Sequence, residues 1–116
     1  MPPVMETRRR DIDEVTILGL SGTFDSVSLP ELSARVDTVI REGRLSLCLN
    51  MRDLNFINST VLGYLVEIGR RLQRMEGELV FSQASKFFGD TFRTLELHHI
   101  FSLFDSDEEE LEHFAA

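Results

Sequence analysis

Apolar and polar residues alternate strictly along one central segment of the chain, residues 44–51. Odd positions from Leu45 to Met51 are apolar, whereas Ser46, Cys48 and Asn50 are small or polar. A period of two predicts a strand with one face on a core, followed by a loop over residues 52–58. Further runs of aliphatic and β-branched residues predict strands over 14–22, 78–84 and 100–104, and an edge strand over 6–11.

Two longer segments place apolar residues at the helical spacing of three and four. Pro30 stands in the first turn of one segment, with Ser28 and Glu31 in capping-box register, so a helix is predicted over residues 29–42. The other segment starts after Asn58, and arginines gather near its end before a glycine. Cations suit the C-terminal end of a helix dipole and glycine favours helix termination, so this segment is also predicted to be a helix.

Two shorter helices are predicted in the C-terminal half of the chain. Ser85 is a suitable N-cap for a segment that places Phe88, Phe92 and Leu95 on one face. Ser106 begins an acidic segment in capping-box register, with carboxylates in the first turn, where the helix dipole favours them. This acidic helix is expected to be solvated.

Predicted strands and helices alternate along the whole chain. This order predicts an α/β fold with a four- to five-stranded, mostly parallel sheet and about four helices. The chain has 116 residues, which matches the usual size of one domain. Residues 1–116 are therefore assigned to a single domain with a core of about residues 8–115.

Charge is distributed unevenly along the chain. Residues 105–112 hold six acids and no base, so this segment supplies most of the formal net charge of −8. Such acidity argues against direct binding of nucleic acid or of an anionic membrane. The three arginines at 8–10 are expected to be a solvated part of a strand or tail rather than a binding patch.

The single cysteine, Cys48, lies in an apolar run, so no intrachain disulfide can form. It is expected to pack in the core rather than to react. No apolar run approaches the roughly 20 residues needed to cross a bilayer, and the N-terminal residues do not resemble a signal peptide. These features predict a cytoplasmic protein without membrane insertion.

The tripeptide Asn58-Ser59-Thr60 has three interpretations. As a glycosylation acceptor it would need a secretory route, and the sequence shows no sign of one. Asn and Ser are also preferred helix N-caps, and a hydroxyl at a helix N-terminus lies where free N–H groups and the dipole favour anions. The local pattern is compatible both with a structural helix cap and with a functional hydroxyl at this place.

Gly63 and Gly69 lie in the same predicted helix. Because glycine is unfavourable inside a helix, these two residues indicate close backbone approach to the sheet or to a partner.

Three segments, taken in order, resemble the STAS domain as found in bacterial anti-sigma factor antagonists. They read "GTFD" at 22–25, "LNMRDLNFINSTVLGYLVEIGRRL" at 49–72 and "GELVFSQASKFFGDTFRTLEL" at 77–97. The resemblance covers about residues 8–115 and implies a STAS-type fold. The chain departs from the family pattern at two positions, where Asn58 replaces an aspartate and Val61 replaces a glycine.

The resemblance implies a regulatory protein in signal transduction and transcription, not an enzyme, with no cofactor. Such a protein binds an anti-sigma factor kinase, is released by phosphorylation on a serine, and is restored by a PP2C-type phosphatase. The serine in that register is Ser59. The resemblance also implies that the partner is bound through Asp25, Asn58, Thr60, Val61, Leu62 and Tyr64.

Other functions are open at the level of sequence. A STAS domain can serve, without phosphorylation, as a scaffold or a transporter-accessory module, and a small-ligand binder could use the same helix N-terminus. The chain has no nucleophile–base pair, P-loop or dinucleotide fingerprint, which argues against an enzyme. Its cysteine and histidine spacing does not indicate a metal site. The oligomeric state, including a homodimer, is also open.

Overall fold

The computed structural model describes residues 5–115, which form one five-stranded sheet and four α-helices. The strands are β1 Met5–Ile12, β2 Val15–Phe24, β3 Ser46–Ile57, β4 Glu78–Ser82 and β5 Ser102–Phe104. The helices are α1 Leu29–Arg41, α2 Ser59–Arg74, α3 Lys86–Thr94 and α4 Asp107–Ala115, with a 3-10 turn at Leu97–His99. Within these residues no helix has the length and apolar character that a membrane-spanning segment requires.

The spatial order of the strands, β1-β2-β3-β4-β5, is the same as their order along the chain. β1 is antiparallel to β2, and every other neighbouring pair is parallel. Helices between the parallel strands provide the crossovers that such pairs need. The predicted α/β fold, with a mostly parallel sheet and an edge strand at its start, is confirmed.

Helices cover both faces of the sheet. Residues of α1, α2 and α3 pack on one face, where aliphatic and aromatic side chains form the main core. Leu111 and Phe114 of α4 pack on the other face against a second, smaller cluster. α4 covers the side of β3 on which Cys48 lies, so both faces of this strand are packed, and the prediction that Cys48 is buried is confirmed. The second cluster consists of Val15, Ile17, Cys48 and Val80.

β3 is longer than predicted. It continues to Ile57 through the segment that was expected to be a loop, and Thr23 and Phe24 of β2 pair with its last residues. β4 stops pairing at Asn50, so the second half of β3 is flanked only by β2. Register shifts occur in this extension, and Gly22 adopts φ 88°, in the left-handed region that glycine tolerates. The sequence of residues 52–57 is typical of a loop because most of these residues are exposed, although they form a strand.

The predicted capping box at the start of α1 does not form. Ser28 has helical backbone angles (φ −85°, ψ −12°), and its hydroxyl turns back to accept from the Asp25 N–H at 2.9 Å. The other two predicted serine caps are confirmed. Ser85 and Ser106 each accept a hydrogen bond from the N–H three residues on, at 3.1 and 3.2 Å.

The acidic helix α4 is not fully solvated, contrary to the prediction. Glu110 is 0% exposed, and Asp107 accepts hydrogen bonds from Ser82 Oγ at 2.8 Å and from Asn50 Nδ2 at 3.1 Å. A spacing of three residues places both acids on the helix face that meets the sheet. The remaining acids of α4 are exposed, so only one side of this helix is solvated.

The two glycines of α2 lie in different surroundings. A Cβ built on Gly69 would be 2.0 Å from Cε1 of Phe101, so this glycine lets an aromatic ring pack against the helix. A Cβ on Gly63 would have no heavy atom within 4 Å. The predicted close approach is therefore explained by core packing at Gly69, whereas the backbone at Gly63 faces open space.

Arg8, Arg9 and Arg10 lie in β1 and are exposed, as predicted. Arg9 nevertheless makes two ion pairs, at 3.0 Å with Asp11 and at 2.7 Å with Glu42. The pair with Glu42 connects the edge strand to the residue that follows α1. Exposed ion pairs of this kind contribute little to stability, about 0–1 kcal/mol each.

Candidate functional site

The N-terminus of α2 follows directly on β3, and Asn58 is the junction between them. Its backbone is extended (φ −93°, ψ 171°), and its Oδ1 accepts a hydrogen bond from the Val61 N–H at 2.9 Å. Its carbonyl accepts from the Leu62 N–H at 3.0 Å. Asn58 is therefore the N-cap of α2. The sequence had left Asn58 and Ser59 as the two candidates for this cap.

Ser59 and Thr60 occupy the first two positions of α2, and both residues are exposed. Neither hydroxyl is hydrogen-bonded to another residue in the range 5–115. The backbone N–H groups of a helix's first turn have no partner within the helix, and the dipole adds partial positive charge there. The Ser59 hydroxyl therefore stands at an electropositive, accessible helix end.

The loop between β2 and α1 lies against this helix end. Asp25 Oδ1 accepts from the N–H groups of Val27 and Ser28, at 3.0 and 3.2 Å, which folds the loop into a turn. Asn58 donates two hydrogen bonds to this region: its N–H donates to the carbonyl of Phe24, the last residue of β2, at 3.1 Å, and its Nδ2 donates to Ser26 Oγ in the loop at 3.5 Å. The C-terminal ends of β2 and β3 thus bring the Asp25 loop and the start of α2 together.

An apolar groove of about 270 Å³ opens beside Ser59, between the end of β3 and α3. Phe56, Phe87 and Leu95 line it and are 53%, 82% and 52% exposed. Sequence reasoning missed this groove. Leu95 was predicted on the packed face of α3, but that helix ends at Thr94, and Leu95 turns outward. Adjacent residues on a helix diverge by about 100°, which was a signal that Phe87 and Phe88 cannot both face the core.

The six residues predicted to bind a partner differ in their exposure. Asp25, Asn58 and Thr60 lie at the surface around Ser59, and half-buried Leu62 lines the groove. Tyr64 is half-buried, and its burial raises the pKa of the phenol. The last of the six, Val61, is corrected: its side chain is 0% exposed and belongs to the main core, because the third helical position points inward.

A family model of the STAS domain matches residues 6–110. The chain belongs to the STAS domain family. One relative of this STAS domain is BtrV of Bordetella bronchiseptica, which is named provisionally as an anti-sigma factor antagonist. The two are 25% identical over 97 residues, which make up 84% of each chain.

Solved structures share the fold of this STAS domain. An anti-sigma factor antagonist from Mycobacterium paratuberculosis matches with a TM-score of 0.83 at 20% identity, over 97% of this chain and 95% of that one. The phosphorylated form of the Bacillus cell fate determinant SpoIIAA matches with a TM-score of 0.75 at 19% identity, over 94% of this chain and 99% of that one. The predicted STAS-type fold is confirmed.

Substitution of the cap is expected to destabilise this STAS domain. Asn58→Ala removes the acceptor for the Val61 N–H and should lower the free energy of unfolding by about 1 kcal/mol. Asn58→Asp keeps an acceptor at the same place and should unfold at nearly the wild-type denaturant concentration. Urea titrations of the three proteins measure the difference. Equal stability of the alanine and aspartate variants would contradict the assignment of the cap.

Proposed function

We propose that this STAS domain is an anti-sigma factor antagonist that binds an anti-sigma serine kinase and is released when Ser59 is phosphorylated. The observation that carries the proposal is the arrangement at the start of α2, where Asn58 caps the helix and the Ser59 hydroxyl is exposed. A serine needed as the cap would have its hydroxyl engaged, whereas this one is accessible to a kinase. The names of the relatives support the same role.

A phosphate on Ser59 would be compatible with the fold. It adds about −1.5 to −2 charges near neutral pH. The N-terminal N–H groups and the dipole of α2 favour an anion at this place, and the cap does not depend on the modified residue. Phosphorylation is therefore expected to alter the surface of the protein without unfolding it.

The proposed partner surface surrounds Ser59. The groove supplies apolar contact area through Phe56, Phe87 and Leu95, and aromatic residues are enriched at the centres of interfaces. Gly63 lies one helical turn beyond Ser59 and leaves the backbone open to close approach. A phosphate at the rim of this surface would have to lose its hydration on binding, which opposes association. One modification can thus switch the interaction off.

A PP2C-type phosphatase would complete the proposed cycle by restoring the free hydroxyl. The bacterial cytoplasm is the proposed site of action, since the single Cys48 is buried and unpaired. A kinase and a phosphatase acting on the same serine set the fraction of protein that is competent to bind. Binding would then follow the ratio of the two activities.

Phosphorylation can be tested directly with purified protein. The chain is incubated with ATP and with anti-sigma kinases from its own organism, starting with those encoded nearest to its gene. We expect the intact mass to rise by one phosphate, and fragmentation to place that phosphate on Ser59. Ser59→Ala should remain unmodified, whereas the neighbouring control Thr60→Ala should be modified at the wild-type rate.

A different outcome would favour a different STAS function. If a kinase binds the chain tightly but never modifies it, the phosphorylation switch is wrong, and a scaffold role gains support. If modification occurs on Thr60 instead, the antagonist role stands and the acceptor assignment fails. Co-purification with a transporter in place of any kinase would support the accessory-module role.

A further inference from the structure

Three potential metal ligands meet on the face of the sheet that is covered by α4. The thiol of Cys48 in β3 contacts the Glu110 carboxylate in α4. Ser82 of β4 lies beside them, with its Oγ 3.6 Å from the Cys48 sulfur and 2.8 Å from Oδ1 of Asp107. One ligand atom from each of Cys48, Asp107 and Glu110 lies within 4.8 Å of the other two.

Glu110 is the second and independent indication of a ligand. The residue is 0% exposed, yet its Oε1 has no hydrogen-bond partner in residues 5–115. No lysine, arginine or histidine of the same residues forms an ion pair with it. A buried carboxylate oxygen without a proton donor or a cation is costly, so its surroundings are incomplete as they stand.

Arg10 is the only cationic residue in the described part of the chain that forms an ion pair with this cluster, and its partner is Asp107. Arg10 places its Nη2 2.9 Å from Oδ2 of Asp107, and its side chain is 58% exposed. This arginine offsets one negative charge at the outer edge of the cluster. Within residues 5–115, no cationic side chain forms an ion pair with the inner two residues, Cys48 and Glu110.

We propose that Cys48, Asp107 and Glu110 form a binding site for one divalent cation of the zinc type, with the Ser82 hydroxyl or a water as the fourth ligand. Zinc accepts thiolate sulfur at about 2.3 Å and carboxylate oxygen at about 2.0–2.2 Å. These distances hold neighbouring ligand atoms about 3–4 Å apart, so small side-chain adjustments would close the site.

Charge balance supports a dication. Binding releases the proton of the Cys48 thiol, together with any proton on Glu110, to solvent. The thiolate and the two carboxylates then carry three negative charges, which the metal and Arg10 together neutralise. Calcium and magnesium prefer oxygen ligands only, so the sulfur of Cys48 favours zinc over them.

The bound cation would connect α4 to two strands. Cys48 belongs to β3 and Ser82 to β4, whereas Asp107 and Glu110 belong to the first turns of α4. The site would therefore fix the helix that covers the second core. It lies on the opposite face of the sheet from α2, so this inference does not depend on the proposed phosphorylation of Ser59.

Cobalt(II) is the sharpest probe of the site, because a cobalt–thiolate bond produces a charge-transfer band in the near ultraviolet. Cys48 is the single cysteine of the chain, so such a band can come only from it. Wild-type protein is stripped with a chelator and dialysed, then titrated with cobalt. Zinc affinity is measured by calorimetry. The variants are Cys48→Ser, Glu110→Gln and, as a matched control, Glu108→Gln, which changes an exposed acid of the same helix.

We expect one cobalt per chain and a thiolate band in wild type and in the Glu108→Gln control. Cys48→Ser should lose the band. Glu110→Gln should bind zinc at least about tenfold more weakly, since altering even a residue that only supports a metal ligand costs about 10–100-fold in affinity. Zinc affinity should rise with pH, because binding releases the thiol proton. Zinc should also raise the thermal midpoint of wild type and of the control, but not that of Cys48→Ser.

Absence of the thiolate band in wild-type protein would overturn the proposal, even if both site variants failed to fold. Equal zinc affinity of wild type and a folded Glu110→Gln would also overturn it, since binding would then occur elsewhere, for example at exposed His98 and His99. In either case the buried thiol and carboxyl groups would be joined by a hydrogen bond and not by a metal ion.

Discussion

Ser59→Asp should weaken binding of the proposed partner, an anti-sigma kinase, by about 100-fold, because an added charge at an interface costs several kcal/mol. The carboxylate would stand at the rim of the apolar groove, where a partner must displace its water. The thermal midpoint should change by less than about 2 °C, since an acid in the first turn suits the helix dipole. Asn58 still caps the helix in this variant. Calorimetric titration and thermal melts measure the two quantities.

The matched control for this substitution is Ser59→Asn. Asparagine has nearly the shape of aspartate but no charge, so this variant should retain most of the kinase affinity. If both variants lose affinity equally, steric size rather than charge explains the effect. If neither loses affinity, Ser59 lies outside the interface and the proposed switch is wrong.

Gly69→Ala should destabilise the protein, although alanine is the better helix former. Its Cβ would lie 2.0 Å from Cε1 and 2.5 Å from Cζ of Phe101, so the ring or the helix must move. Overpacking of a core costs about 1–3 kcal/mol, which exceeds the gain of up to about 1 kcal/mol from replacing glycine in a helix. We expect the thermal midpoint to fall by about 5–10 °C.

Gly63→Ala provides the opposite result within the same helix. Its Cβ would meet no atom within 4 Å, so only the helix propensity changes. The free energy of unfolding should rise by about 0.5–1 kcal/mol. Adding Phe101→Leu to Gly69→Ala should recover part of the lost stability by removing the aromatic edge. Identical effects of the two alanine substitutions in urea titrations would contradict this account.

Sequence patterns predicted the features that depend on near neighbours. The apolar stripe of α2, the cap at Asn58 or Ser59 and the alternation at the start of β3 each involve residues that are close along the chain. The order of these elements was enough for the α/β fold. The resemblance to the STAS domain added Ser59 as the candidate acceptor, which no local rule could separate from a cap.

Features that depend on distant residues were missed. The second half of β3 forms because β2 extends to meet it, and the polar sequence of that segment gives no sign of this pairing. Glu110 resembles any other acid of α4, and only the fold places it against Cys48, 62 positions away. The sequence does not distinguish the two glycines of α2 from each other. Only the fold shows that Phe101 packs against Gly69 and that Gly63 has no such neighbour. The groove likewise arises from three elements that are separate in the chain.

The agreement between strand order and chain order has a consequence for synthesis on the ribosome. Each strand pairs with the one made just before it, so the sheet can assemble strand by strand as the chain emerges, and a crossover helix is made before each parallel strand. The second apolar cluster, by contrast, receives its cover only when α4 appears, after all five strands. A nascent chain therefore carries an exposed apolar sheet face until α4 emerges, and this interval is when aggregation is most favoured.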